Sequence, residues 1–155
     1  MAALEEVTGD LLTVNTQYIA HQCNCVTKYG KGLSAALFSR FPYADTYHTR
    51  RQPSPPGTID VFGDGMTQRF VINMYAQYGP GRPRSTDDSA AMRLQWFVQC
   101  LEQVEAIESL QEIAFPWNIG CGLAGGQWAQ YGDTLRQWAE ASKAQRVLLV
   151  RLENT

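Results

Sequence analysis

The sequence predicts an α/β fold: one sheet with helices packed on both of its faces. Three observations point that way. Short apolar strands alternate with segments of helical period along the whole chain, the pattern of strand–helix–strand units. The last strand is a continuous apolar run, Val147-Leu148-Leu149-Val150, as expected of a strand covered on both sides. Three strand ends run into glycine-rich or polar corners, and open α/β sheets bind ligands beyond the carboxyl ends of their strands. A chain of 155 residues fits one domain with a full-size core, residues 1–155.

Taken in order, Leu4 to Val7 and Tyr18 to Gln22 read as short strands. Gly32 to Arg40 reads as a helix start and an apolar helix that stops near Pro42, with a second short helix from Ala44 to Arg51. Thr58 to Phe62 and Arg69 to Ala76 are strands joined through the hairpin-type turn Gly63-Asp64-Gly65. Ala90, Leu94, Phe97, Leu101 and Val104 recur at steps of four and three, which places them on one helical face; Thr86, Asp87 and Asp88 offer the N-cap. Glu112 to Phe115 is a strand closed by Pro116. A helix follows with Trp128, Tyr131, Leu135, Trp138 and Ser142 on one face, a spacing that favours core packing over ligand stacking for the two tryptophans. The chain ends on a strand from Arg146 to Leu152.

Composition removes several function classes. Apolar residues at 45% and charged residues at 18% describe a globular chain, and no run approaches the ~20 apolar residues of a membrane span. The N-terminal residues Met1 to Glu6 lack a basic flank and an apolar stretch, so no signal peptide is expected. Cys23, Cys25, Cys100 and Cys121 are too few for a disulfide framework and point to reduced thiols in a cytoplasmic setting. A zinc site is disfavoured, because Cys23 and Cys25 have no second close pair. A net charge of -2, with dense basic residues only at Arg50-Arg51 and Arg82-Pro83-Arg84, argues against nucleic acid as partner. A phosphate-bearing ligand would then depend largely on backbone N–H groups.

The three strand-end corners carry the candidate chemistry. Ile119-Gly120-Cys121-Gly122-Leu123-Ala124-Gly125-Gly126 lies between a strand and a helix, and a plain turn needs fewer glycines than the four it holds in seven residues. Helix N-termini offer free N–H groups and a partial positive charge, which suit a phosphate. The segment also matches the dinucleotide pattern G-x-G-x-x-G, but too little sheet follows it to complete a nucleotide-binding half. A cysteine phosphatase loop is disfavoured too, because Gln127 stands where the phosphate-holding arginine of that pattern belongs. In the second corner, His21-Gln22-Cys23-Asn24-Cys25 leads through Gly30-Lys31-Gly32 into Leu33 and Ser34. There Asn24 can hold a sugar hydroxyl pair, and His21 is a candidate acid or base. The third corner, Asn73 to Gly81, offers Gln77 and Tyr78 to cover a ligand.

Together these residues resemble the macrodomain family, across nearly the whole chain from Leu4 to Leu152. Gly9-Asp10-Leu11 looks like the family's Gly-Asp-Ile entry motif; the resemblance places the adenine amino group on Asp10, with Leu11 beside it. The stretch from Ile19 to Gly32 looks like its Asn-Ala-Ala-Asn segment with a glycine loop, so Asn24 takes the role of orienting the distal ribose, while His21 replaces the first asparagine. His21, Asn73-Met74 and Ile119 to Trp128 resemble a subgroup of ADP-ribosyl hydrolases and ADP-ribose 1''-phosphate phosphatases. The implied fold is three-layered, α/β/α, with a mixed, mostly parallel sheet of about six strands and no cofactor. The implied partner is ADP-ribose or an ADP-ribosylated protein, with the diphosphate between the loops Lys31 to Ser34 and Gly120 to Ala124. A relative in the subgroup uses a lysine and an aspartate where this chain has Gln77 and Ala124, so a covalent lysine route is closed here.

Overall fold

The computed structural model describes residues 3–153, so Met1 and Ala2, part of the expectation about the N-terminus, lie outside the described residues. The strands are β1 (Leu4–Thr8), β2 (Tyr18–Asn24), β3 (Thr58–Phe62), β4 (Phe70–Gln77), β5 (Glu112–Pro116) and β6 (Arg146–Arg151). The helices are α1 (Leu33–Arg40), α2 (Thr46–Thr49), α3 (Ala90–Glu105) and α4 (Trp128–Ala141), with a 3-10 turn at Pro42–Ala44. The six strands form one sheet in the order β1-β6-β5-β2-β4-β3. Every pairing is parallel except β3 with β4, the hairpin joined through Gly63 to Gly65.

Side-chain alternation divides the core into two layers. Tyr18 and Ala20 of β2 pack with Phe97 of α3 and Leu135 of α4 on one face. Ile19 and Cys23 pack with Leu37 and Phe38 of α1 and Tyr47 of α2 on the other. Trp128 and Trp138 join the α3/α4 layer, Trp138 edge-on to Phe115 at 5.7 Å, in keeping with a packing role.

Two local expectations are corrected. The second short helix is confined to Thr46–Thr49, because Pro42 opens a separate 3-10 turn and Asp45 caps the helix through the N–H of His48. The N-cap of α3 is Ser89, whose Oγ accepts from Met92 N at 3.1 Å. Asp88 is drawn away by Arg93, whose guanidinium grips both of its carboxylate oxygens at 2.7 Å.

The sheet also makes an opening. β2 pairs with β4 from Tyr18 through Asn24, but with β5 only at Tyr18–Ile113 and Ile19–Ala114. Past that point β2 and β5 part, and the loops that follow them diverge to opposite faces, as at the switch points where α/β sheets take ligands.

Candidate ligand-binding cleft

A cleft of about 620 Å³ lies over this parting of the strands. One wall is the loop after β2 and the start of α1, with Lys31, Gly32, Leu33 and Ser34. The opposite wall is the loop after β5, with Asn118 and Ile119, Gly120, Cys121, Gly122, Leu123 and Ala124. Gln22, Asn24 and Gln77 line it from the ends of β2 and β4.

The β5–α4 wall is rich in free donors. Within it Cys121 N bonds Asn118 O, Gly125 N bonds Gly122 O, and Gly126 N bonds Gly120 O. The N–H groups of Gly120, Gly122, Leu123 and Ala124 have no partner among the described residues. Gly120 adopts φ 78°, and a side chain there would meet the Tyr131 ring at 2.5 Å, so this glycine serves both the turn and the packing beneath it. The opposite wall repeats the motif on a smaller scale. Gly32, at φ 57°, starts α1, and the N–H groups of Leu33 and Ser34 are likewise unpartnered among the described residues. Lys31 and Arg84 are the charged residues of the lining, which includes no carboxylate. The cleft therefore offers main-chain donors and positive charge, the setting an anion needs.

Asn24 sits at a register shift between β2 and β4 and lines the cleft. Its main chain is fixed from the α2 side: its N–H donates to Tyr47 Oη at 2.7 Å, and its carbonyl accepts from Arg50 at 3.2 Å. The Arg50 guanidinium in turn lies 4.6 Å from the Tyr47 ring centre. The Asn24 side chain is occupied as well. Its Oδ1 accepts from Val26 N at 3.0 Å and Thr27 N at 2.9 Å, closing an Asx turn. Beside it, Gln22 donates to Gln77 Oε1 at 2.8 Å, and Gln77 donates to the Gly79 carbonyl at 3.0 Å.

Several expected site residues lie elsewhere. His21 does not line the cleft: its ring is fully buried (0% exposed), edge-on to Phe38, with Nε2 2.7 Å from Asn73 Oδ1. Desolvation by burial pushes its pKa down to about 4 despite the Asn73 bond, so it is neutral at physiological pH. Direct acid–base contact of His21 with a ligand is thus corrected to a role beneath the surface. Leu11 points into the core, and Asp10 spends a carboxylate oxygen on Leu12 N at 2.9 Å; neither lines the cleft. Gly30 also lies outside the lining, its Cα facing the start of α1, where a methyl group would sit 2.9 Å from Ala35 N. Tyr78 stands outside the lining beside Gln77. Cys121 does line the cleft, but burial raises its thiol to about 11, which makes it a poor nucleophile near neutral pH.

Sequence reasoning missed the residue that joins the walls to the rest of the molecule. Arg93, 2% exposed, pairs with Asp88 and donates to the carbonyls of Gly79, Gly81 and Ala124. Asp88 also accepts from Tyr78 N and Gly79 N. Burial alone would raise the Asp88 carboxyl; the bonds from Arg93 and these two amides outweigh it and hold the pKa below the usual carboxylate value. The available signal was an arginine four residues before Phe97, on the apolar face of its helix. Trp117 was missed too: it lines the cleft, with the Arg151 guanidinium 4.0 Å from its ring centre.

No family model matches the chain, and no curated protein does. Solved structures do. The macrodomain of Mycobacterium tuberculosis DarG superposes with a TM-score of 0.72 at 20% identity, covering 96% of each chain. A Bacteroides thetaiotaomicron protein of unknown function gives 0.75 at 22% identity, over 95% of this chain and 97% of its own. A mutant of the Oceanobacillus iheyensis macrodomain with ADPR gives 0.66 at 19% identity, over 96% of this chain and 84% of its own. At these identities what is shared is architecture, and the architecture of this chain, with its six-stranded mixed sheet between helical layers, is the macrodomain fold.

Proposed function

We propose that the chain binds ADP-ribose in this cleft and hydrolyses a bond at C1'' of the distal ribose. One observation carries the binding reading. Unpartnered amides belong to residues of two glycine loops that line a common cleft, whose charged lining residues are Lys31 and Arg84. A diphosphate supplies the acceptors those amides lack, and the solved macrodomain with ADPR supports the choice of nucleotide. The distal ribose lies toward Asn24 and the start of α1, and adenine toward Trp117.

In the hydrolytic step, water attacks C1'' and the bond from C1'' to the leaving oxygen breaks. Its electron pair departs with a carboxylate or a phosphate, and the proton of the water passes to a diphosphate oxygen or to solvent. The protein contributes orientation, worth up to ~7–11 kcal/mol in favourable cases. The substrate class is ADP-ribose esterified to an acidic side chain, or ADP-ribose 1''-phosphate. Neither His21 nor Cys121 is placed or poised to activate the water, and that favours one second reading: a module that recognises ADP-ribose without cleaving it.

Calorimetric titration with ADP-ribose and with NAD, followed by turnover assays on both ester classes, tests the assignment. ADP-ribose is expected to bind more tightly than NAD, and at least one ester is expected to turn over. Tighter NAD binding would replace the reading with a nicotinamide-nucleotide protein. Binding without turnover would leave the recognition module.

A further inference from the structure

We propose that Ser34 Oγ is the acceptor that reads a neutral hydroxyl of the ligand, and that His21 and Asn73 hold it in that role. The ligand assignment rests on the ADP-ribose reading; the hydrogen-bond directions do not.

The directions follow from one fixed end. The Asn73 amide donates to the Ala44 carbonyl at 2.8 Å, and a carbonyl can only accept. Asn73 Oδ1 must therefore face His21, 2.7 Å from Nε2, and it too can only accept. The His21 proton accordingly sits on Nε2, and Nδ1 carries a lone pair. Ser34 Oγ lies 3.3 Å from Nδ1, and the Cys23 thiol, a weaker donor, stands farther off at 3.8 Å, so the serine hydroxyl donates inward to the ring. With its proton drawn away from the cleft, Ser34 presents oxygen lone pairs to whatever occupies it.

That sets an acceptor among donors. The neighbouring amides of Leu33 and Ser34 attract a phosphoryl oxygen, whereas the lone pairs of Ser34 Oγ repel one. A ligand that satisfies both must carry an anion and, close beside it, a hydrogen-bond donor, which at the sugar end of ADP-ribose is a hydroxyl. Ser34 lines the cleft together with Asn24, where the proposed reading puts the distal ribose, so the group it reads belongs to the sugar end of the ligand. His21 and Asn73 are positioning residues: both are fully buried and act through Ser34. Burial also keeps His21 neutral, which preserves the lone pair on Nδ1.

Two measurements test this. The first is the imidazole 15N spectrum at pH 7; with two histidines in the chain, a His48→Gln variant assigns the signals. His21 is expected neutral with its proton on Nε2; a proton on Nδ1, or an imidazolium, overturns the inference. The second is calorimetry of wild type and Ser34→Ala with ADP-ribose and with ADP, which lacks the distal sugar. Ser34→Ala is expected to weaken ADP-ribose about ten-fold and ADP less than about two-fold, the loss of one hydrogen bond. Equal losses, or none, overturn it. If the wild type binds neither nucleotide, the ADP-ribose reading falls by itself. The comparison then moves to ribose 5-phosphate against inorganic phosphate, where Ser34→Ala must still erase a preference for the sugar or the inference falls as well.

Discussion

The two walls of the cleft look alike in sequence, each a glycine-rich corner between a strand and a helix, yet they are held in place by different forces. The β2–α1 wall combines turns of its own with bonds from the α2 segment, where Tyr47 and Arg50 hold the Asn24 main chain. Asn24 bonds the amides of Val26 and Thr27, and Gly30 packs on the first turn of α1. The β5–α4 wall is held from a distance. Tyr131 fills the space beneath Gly120, and Arg93 of α3 anchors the Ala124 carbonyl while holding Asp88 and the loop after β4. The Asx turn at Asn24 can form with its own segment. A wall anchored by a buried ion pair forms only when α3, β4 and β5 are already assembled, so its amides are aimed by the whole fold.

Breaking the distant anchor should have the largest effect. Arg93→Met strands a buried carboxylate at Asp88, and the cost is expected at about 3–5 kcal/mol in urea unfolding, with ADP-ribose affinity falling in the same variant. A stability loss below about 1 kcal/mol would show that the pair does not hold the wall. Acid comes next, and it acts beneath the β2–α1 wall. Because the folded pKa of His21 is depressed to about 4, the unfolded chain binds a proton first as pH falls below 6.5. Stability contributed by the neutral ring is complete above pH 6.5 and is lost on descent toward pH 4, by about 3 kcal/mol in total. An unfolding midpoint unchanged between pH 7 and pH 5 would contradict that burial.

A smaller effect separates the glycines. Gly120→Ala pairs a positive φ with a clash against Tyr131 and should cost about 2 kcal/mol by thermal or urea unfolding. Gly122→Ala has no atom nearer than 3.9 Å to its new methyl group and should leave stability within about 0.5 kcal/mol. Equal costs for the two would remove the distinction between packing and ligand-facing positions. The smallest effect belongs to the β2–α1 wall: Asn24→Ala should lose about 1 kcal/mol of stability as its Asx turn opens, and Asn24→Asp, which keeps the acceptor, should lose less.

Much of the fold was legible in the chain. The helix from Ala90 to Val104 and the strand around Val147 to Val150 were marked by periodicity and by an unbroken apolar run, signals that depend on neighbours in sequence. Glycine density marked both walls of the cleft for the same reason. Other features depend on partners far along the chain. Asp88 read as a cap because its local options are caps; Arg93 claims it only once α3 packs beside the loop after β4. His21 read as an acid or base because nothing nearby in sequence shows that Phe38 and Asn73 will enclose it.

The order of strands and helices, the apolar faces that bury them, and the two glycine-rich corners are legible in the chain alone. Each follows from the spacing of residue types over one or two turns of chain. Packing of the layers then brings those corners to one cleft, takes water from some titratable groups, and turns one hydroxyl proton inward. Those outcomes depend on burial and on hydrogen bonds between segments dozens of residues apart, and neither exists until the layers close.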